Sequence, residues 1–251
     1  MRNWKLTLMY DGSEFHGWQV QPGLATVQGA LAVAIERVTG ERVLPQGSGR
    51  TDAGVHALAQ VASCALETPI PPDNLVKALN DVLPTAVRVT EAEEMAPSFH
   101  ARKSARAKTY RYRILRAAIC PPFVARYVYH HPFPLDEHAM AASASSVVGE
   151  HDFTSFAAVD PERGSEDEPA SNVRTVYTSE WRSDREELIY TVRGSGFLHH
   201  MVRNLVGTFL LVGKGTLAPQ EIAQILDARD RSANPGATAP ASGLYLVGVE
   251  Y

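Results

Sequence analysis

The sequence lacks the features of a membrane-spanning, secreted or disulfide-stabilised protein. Its 251 residues include two cysteines, Cys64 and Cys120, which lie far apart in no metal-binding spacing, so both are expected to be reduced packing residues. The longest apolar run, Leu205 to Val212, is interrupted by a glycine and a threonine and is much shorter than the ~18 residues that suggest a membrane span. The N-terminal residues do not have the pattern of a secretory signal. These features predict a cytoplasmic protein without a membrane span.

Motifs for metal and nucleotide binding are also missing. The adjacent pairs His130-His131 and His199-His200 belong to no H-E-x-x-H or C-x-x-C pattern, and adjacent rings are expected to diverge on a strand or helix. The glycine-containing stretch from Gly207 to Thr216 has the wrong glycine spacing for a phosphate loop, and Lys214 is not followed by Ser or Thr. The sequence therefore predicts no metal and no cofactor.

Negative charge is missing from one long segment. The net charge of the chain is −4, but no acidic residue lies between Met95 and Leu135. A predicted strand in this segment carries Tyr110 and Tyr112 on one face, where either ring can stack on a base. Its cations can neutralise phosphates, so we interpret the strand as a nucleic-acid contact, and the alternative is an edge strand protected by charge from aggregation. The cations of the strand and its lead-in are Arg102, Lys103, Arg106, Lys108, Arg111, Arg113 and Arg116.

One polar, glycine-rich turn is the strongest candidate for catalysis. The run Gly47–His56 has the sequence G-S-G-R-T-D-A-G-V-H and lies between two apolar segments. Its glycines allow positive φ or close approach to a ligand, and Asp52 is its one carboxylate, next to Arg50 and Thr51. The alternative interpretation is an ordinary hairpin turn, in which Asp and Gly are common. His56 is as well suited to support the loop as to act as a base, so we assign it no role.

Hydrophobic periodicity predicts the element order β-α-β-β-α-β in residues 1–104 and again, with one extra helix, in residues 105–251. This is the order of the ferredoxin-like split βαβ motif, whose sheet has helices on one face. We therefore predict an α+β fold in which two such halves join into one long, mainly antiparallel sheet, with an RNA-binding cleft on the other face. The predicted strands are Trp4–Tyr10, Arg42–Gln46, Val55–Leu66, Ala86–Glu94, Lys108–Leu115, Val173–Arg182, Glu187–Arg193 and Leu244–Tyr251. The first predicted helix starts at the Thr26 N-cap and ends at Gly40. The other predicted helices are Pro72–Val82, Asp136–Val148, Leu198–Val212 and Pro219–Ala228.

Two segments do not fit the repeated pattern. Residues 160–169 contain five acidic residues and two prolines, which predicts a solvated, mobile insertion. The loop from Asp11 to Pro22 is interpreted either as a structural loop held by Phe15 and Trp18 or as a substrate contact. The hairpin that follows the insertion is predicted to turn at Ser183-Asp184.

The strand-turn-helix junction at residues 194–204 contains a candidate partner for the carboxylate. Arg203 is predicted to lie one turn beyond His199 on the same face of the helix. If that face lies near Asp52, Arg203 would keep its carboxylate ionised, because a nearby cation lowers the pKa of an aspartate. The alternative is an ordinary surface arginine on an amphipathic helix.

Several of these stretches resemble the tRNA pseudouridine synthase A family. The run G-S-G-R-T-D-A-G-V-H-A is similar to that family's catalytic motif. The stretches D-G-S-E-F-H-G-W-Q-V-Q-P, F-H-A-R-K-S-A-R-A-K-T-Y-R-Y-R-I, D-F-T-S-F and G-S-G-F-L-H-H-M-V-R-N-L-V-G resemble it in the same order, over essentially the whole chain. The resemblance implies isomerisation of uridine to pseudouridine at positions 38 to 40 of the tRNA anticodon arm, without cofactor or metal. It also implies a homodimer that binds tRNA.

The resemblance also implies roles for individual residues. Asp52 matches the catalytic aspartate, which attacks the target nucleotide at C6 of the base or C1′ of the sugar, so that the base detaches, rotates and rejoins through carbon. Tyr110 matches the tyrosine that stacks on the target base and is a candidate acceptor of the C5 proton. Arg203 matches the basic partner of the aspartate, and Arg50 the residue that fills the space left by the flipped base. The further RNA-binding residues implied by the resemblance are Phe99, His100, Ala101, Arg102 and Lys103.

Two other functions fit parts of the sequence. A catalytically silent RNA-binding protein of the same fold would need the basic strand, but the set of Asp52, Tyr110 and Arg203 argues against it. A hydrolase of N-glycosidic bonds would also use Asp52, but no second carboxylate is placed by sequence to activate water.

Overall fold

The computed structural model describes residues 1–159 and 171–251, which form two compact units. Unit 1 contains Met1–Lys108 and Tyr245–Tyr251, and unit 2 contains the described residues of Thr109–Leu244. The acidic insertion at 160–169 lies outside the described residues. Within the described part of the chain, no helix is both long and apolar enough to cross a membrane. The predicted boundary between the two repeated halves, at residues 104 and 105, stays a prediction.

Ten strands and five α-helices make up the described regular structure. The strands are β1 (Arg2–Tyr10), β2 (Gln46–Gly47), β3 (His56–Leu66), β4 (Val87–Met95), β5 (Ala107–Leu115), β6 (Tyr129–His130), β7 (Gly149–Asp152), β8 (Val173–Asp184), β9 (Glu187–Gly194) and β10 (Leu244–Glu250). The helices are α1 (Val27–Thr39), α2 (Pro72–Val82), α3 (Glu137–Ala144), α4 (Met201–Gly213) and α5 (Glu221–Ala228). The predicted α+β class, with mostly antiparallel strands, is confirmed.

Unit 1 has the strand pairing of the split βαβ motif. β1 lies between β3 and β4 and is antiparallel to both, and the short β2 pairs antiparallel with β3. β10 pairs in parallel with β3 through Tyr245 and Leu246. Side chains of β1 alternate, so Trp4, Leu6 and Leu8 are fully buried. The catalytic-loop candidate therefore begins from β2 and returns into the central strand β3.

The two helices of unit 1 form where the sequence predicts them. The Thr26 side chain accepts a hydrogen bond from the Gly29 N–H at 3.3 Å, and α1 ends at Gly40, which has φ 77°. α2 has the predicted bounds and contacts both α1 and β4.

The prediction of a strand at Arg42–Gln46 is wrong for all but its last residue. Pro45 has no N–H to donate to a strand ladder, so pairing with β3 starts at Gln46.

Unit 2 has β8 antiparallel to both β7 and β9, with β9 next to β5. Its core includes an aromatic cluster, in which the Tyr190 ring lies 4.9 Å from Trp181 and 5.4 Å from Phe209 of the apolar helix α4. β7 was not predicted. The hairpin turns at Arg185, which has φ 54°, rather than at Ser183-Asp184, because both of those residues pair with β9.

Removal of the α1 cap tests the helix start. Thr26→Ala should lower the free energy of unfolding by about 1 kcal/mol, because one N–H of the first turn loses its acceptor. Thr26→Ser keeps a hydroxyl and should stay close to the original protein. Urea denaturation of the two variants measures the difference, and equal stability of both would contradict the cap.

Candidate active site

The Gly47–His56 loop connects β2 to β3 and follows a tightly hydrogen-bonded path. The Ser48 N–H donates to the Val61 carbonyl at 2.7 Å, and the Val55 N–H donates to the Asp52 carbonyl at 3.1 Å. Gly54 has φ 77°, a left-handed backbone conformation that residues other than glycine rarely adopt. Asp52 is half-buried, while Arg50 is exposed. Because Gly47 pairs with Ala62, the segment is a long loop and not the ordinary hairpin turn of the alternative interpretation. It holds one carboxylate on a fixed backbone.

The loop that follows β1 packs against the backbone of the Asp52 loop. The Trp18 N–H donates to the Thr51 carbonyl at 3.0 Å. A Cβ atom on Gly12 would lie 2.0 Å from the Val55 carbonyl oxygen, and one on Gly17 would lie 2.7 Å from the Thr51 oxygen. These contacts support the structural interpretation of the Asp11–Pro22 loop, and the backbones approach so closely because two glycines face them.

A buried hydrogen-bond network lies next to the Asp52 loop. The Ser48 hydroxyl donates to Gln60 Oε1 at 2.7 Å, and Gln60 Nε2 donates to the Gly49 carbonyl at 3.0 Å and to Tyr10 Oη at 3.4 Å. Tyr10 Oη and Thr51 Oγ1 lie 2.8 Å apart. Burial raises the pKa of Tyr10 to about 12, so its hydroxyl stays protonated at neutral pH. We did not predict this network, although a glutamine within the apolar strand β3 was a signal for it.

His56 supports the loop through two contacts. Its Nδ1 accepts the Gly12 N–H at 3.1 Å, and its ring stacks on Tyr245 with centroids 4.8 Å apart. A neutral ring nitrogen that accepts a hydrogen bond carries no proton, so Nδ1 cannot also donate to the Asp11 carboxylate 3.3 Å away. The side chain is buried, and it connects the loop after β1 to the strands β3 and β10.

Residues 99–103 follow β4 and have a fixed backbone with exposed cations. The Phe99 ring contacts the Tyr251 ring with centroids 4.9 Å apart. Ala101 is fully buried, and its N–H donates to Ser63 Oγ at 3.0 Å. Of the remaining residues, His100 is half-buried, while Arg102 and Lys103 are exposed.

The two tyrosines of β5 have different environments. Tyr110 is 8% exposed, and its ring meets the Phe197 ring edge-on with centroids 5.1 Å apart. Tyr112 is fully buried, and its hydroxyl donates to the Pro240 carbonyl at 2.8 Å. Burial raises the pKa of Tyr112, and the Arg203 charge acts in the opposite direction. The prediction that either ring can stack on a base is therefore wrong for Tyr112, which is part of the core.

Several cations of the predicted phosphate-binding strand bind protein groups instead. Arg113 makes two hydrogen bonds to the Glu187 carboxylate, at 2.8 and 2.6 Å. Lys108 Nζ donates to the Ser48 carbonyl at 2.5 Å, and Arg116 donates to the carbonyls that follow β6. These three side chains are held by the fold. Among the cations of the strand and its lead-in, the exposed ones are Arg102, Lys103, Arg106 and Arg111.

Arg203 lies in the first turn of α4, and its Nε donates to the Ala239 carbonyl at 2.7 Å. The prediction that His199 shares its helical face is wrong, because the helix begins only after His200, which has φ 57°. The rings of His199 and His200 are 4.0 Å apart, so the prediction that they diverge is also wrong. The left-handed conformation of His200 breaks the regular alternation of side chains. A pairing of Arg203 with Asp52 joins residues of different units and stays a prediction.

The chain is similar in sequence to known proteins. A family model described as tRNA pseudouridine synthase matches residues 7–104 and 143–251, which include the Asp52 loop and Arg203. The chain belongs to this family. Members of the family isomerise uridine to pseudouridine in tRNA, so the chain is an isomerase whose substrate is tRNA.

Curated relatives cover the whole chain. The tRNA pseudouridine synthase A of Solibacter usitatus (strain Ellin6076) is 52% identical, with 100% of both chains covered. The protein of the same name from Limosilactobacillus fermentum (strain NBRC 3956 / LMG 18251) is 43% identical over 100% of this chain and 96% of the relative. A solved structure, a Cbf5-Nop10-Gar1 complex, is 13% identical over 96% of this chain and 57% of that chain, with a TM-score of 0.34.

The close approach at Gly12 can be tested by stability. Gly12→Ala should lower the free energy of unfolding by about 1–3 kcal/mol, because the new methyl group would overlap the Val55 carbonyl. Gly196→Ala is the matched control, since its Cβ would make an ordinary contact of 3.6 Å with Arg174 and should change stability by less than about 0.5 kcal/mol. Equal urea midpoints for the two variants would argue against the backbone approach.

Proposed function

We propose that the chain isomerises uridines at positions 38 to 40 of the tRNA anticodon stem-loop, with Asp52 as the nucleophile. The observation that carries this proposal is the held Gly47–His56 loop. Hydrogen bonds from β3 and from the loop after β1 fix the backbone on both sides of Asp52. A nucleophile that is already held near its reacting atom avoids much of the entropic cost of reaching it.

The proposed reaction balances without a cofactor or metal. The Asp52 carboxylate adds to C6 of the base or to C1′ of the sugar, and the bond between N1 and C1′ breaks. The base turns, and C5 bonds to C1′. C5 then loses its proton, N1 gains one, and the carboxylate is released unchanged. A carboxylate suits both steps, because it is ionised at neutral pH and can leave again.

Other residues are proposed to bind the RNA. The Tyr110 ring, held edge-on by Phe197, would contact the target base, and Arg203 would pair with the Asp52 carboxylate. Arg50 is exposed and would fill the space left in the stem when the base flips out. The exposed cations of residues 99–103 would bind phosphates. We further propose that the enzyme acts as a homodimer in the cytoplasm.

Loss of tritium from C5 tests the proposed function. With a tRNA transcript that carries 5-tritiated uridine in its anticodon arm, the protein should release tritium into water. Asp52→Asn should abolish release. The affinity for tRNA should stay within a few-fold, because one carboxylate changes little of the attraction between the protein's cations and the RNA phosphates.

The matched control is Asp73→Asn, which removes the same charge from the exposed first turn of α2 and should retain full activity. Activity of Asp52→Asn near that of the control would remove Asp52 as the nucleophile. Tritium release confined to uridines outside positions 38 to 40 would contradict the proposed substrate site. Free uracil as the product would indicate a hydrolase.

A further inference from the structure

The network that involves Tyr10 and Gln60 touches three of the four residues that precede Asp52. Ser48 bonds to Gln60 through its hydroxyl, and Gly49 bonds to Gln60 through its carbonyl. Thr51 bonds to Tyr10 through its hydroxyl. Arg50, the remaining residue, lies between two anchored neighbours. The backbone that carries Arg50 and Asp52 is thus tied to buried side chains of β1 and β3.

Each polar side-chain group of the network has a hydrogen-bond partner. Gln60 Oε1 accepts from the Ser48 hydroxyl and from the Val61 N–H at 3.1 Å. Its Nε2 donates to the Gly49 carbonyl and to Tyr10 Oη. Tyr10 Oη accepts from Gln60 and also bonds to Thr51 Oγ1, where either hydroxyl can be the donor. Each partner orients the next, so loss of one hydroxyl disturbs the whole chain.

These side chains are too deeply buried to contact RNA directly. Ser48 and Gln60 are fully buried, Tyr10 is 5% exposed and Thr51 is 6% exposed. Their polar groups are costly to bury, and apolar side chains of the same size would fill this space without that cost. Their arrangement is explained if the position of the loop, rather than stability alone, depends on them.

We infer that Tyr10 and Gln60 are positioning residues, which act through Thr51, Gly49 and Ser48 to hold the Asp52 carboxylate at its reacting distance. This inference rests on the proposed function of Asp52. A displacement of about 1 Å at a nucleophile can reduce a rate by about 100-fold. A change in the network should therefore reduce the rate of the chemical step and leave tRNA affinity unchanged.

The test is Tyr10→Phe, which keeps the ring and removes the hydroxyl. Its single-turnover rate of tritium release, with enzyme in excess over tRNA, should fall by between about 10-fold and 100-fold. Its Kd for tRNA should stay within about 2-fold. The melting temperature should fall by about 2–4 °C, as expected for one lost hydrogen bond in a protein of this size.

The matched control is Tyr190→Phe in unit 2. Tyr190 is fully buried, and its hydroxyl, like that of Tyr10, lies 2.8 Å from a side-chain hydroxyl, that of Ser179. This variant should lose a similar amount of stability and keep its rate. An unchanged rate for Tyr10→Phe, or an equal fall in rate for both variants, would overturn the inference.

A second pair of variants covers the case in which Tyr10→Phe does not fold. Thr51→Val removes the hydroxyl that bonds to Tyr10, and Thr51→Ser keeps it. The valine variant should be slow and the serine variant close to the original rate, with equal tRNA affinity. Equal rates would overturn the inference. If Asp52→Asn is inactive while these network variants are normal, only the positioning role is contradicted. If Asp52→Asn is active, the proposed role of Asp52 as the nucleophile is contradicted.

Discussion

The Asp52 loop depends on a close approach of two backbones. Gly12 and Gly17 follow β1, and each lies where a Cβ atom would overlap a carbonyl oxygen of the Asp52 loop. Because no side chain separates the two segments, N–H and carbonyl groups can bond directly between them, as at Trp18 and Thr51. Water would otherwise compete for the polar groups of this loop. The contact between the two backbones therefore holds the loop in a single conformation. It explains how a loop can hold a carboxylate in place for chemistry.

Charge in the basic segment is divided between structure and surface. Arg113 and Lys108 are bound to a carboxylate and a carbonyl of the protein, so their charges contribute to local packing. Arg102, Lys103 and Arg111 are exposed. Exposed cations can exchange bound counterions for phosphates, and this exchange gives RNA binding its salt dependence. A count of basic residues in the sequence therefore overestimates the phosphate contacts that the fold leaves available.

The sequence predicts the elements that depend on local signals. The cap at Thr26, the Gly40 stop and the bounds of α2 follow from nearby side chains, and the structure has all three. Features that depend on tertiary contacts were missed. The left-handed His200, which moves the start of α4, is one example, and the β8 pairing that extends to Asp184 is another.

The same limit applies to the site. The type and spacing of residues in Gly47–His56 indicate a carboxylate on a fixed loop, but the residues that fix it come from distant strands. Tyr10 looks like an ordinary strand residue in the sequence, and Tyr112 appears equivalent to Tyr110. Burial separates these cases, since Tyr112 bonds to the Pro240 carbonyl in the core. Burial is set by the packed structure rather than by a local pattern.

We propose above that Asp52 is the group that attacks the target nucleotide. The most direct measurement is a crystal structure of the Asp52→Asn protein bound to tRNA, with the distance from the side chain at position 52 to C6 and C1′ of the target. We expect a flipped uridine with one of these carbons about 3–3.5 Å away, the separation of reacting atoms before attack. A flipped uridine whose C6 and C1′ both lie far from position 52, next to a different carboxylate, would rule out this role for Asp52.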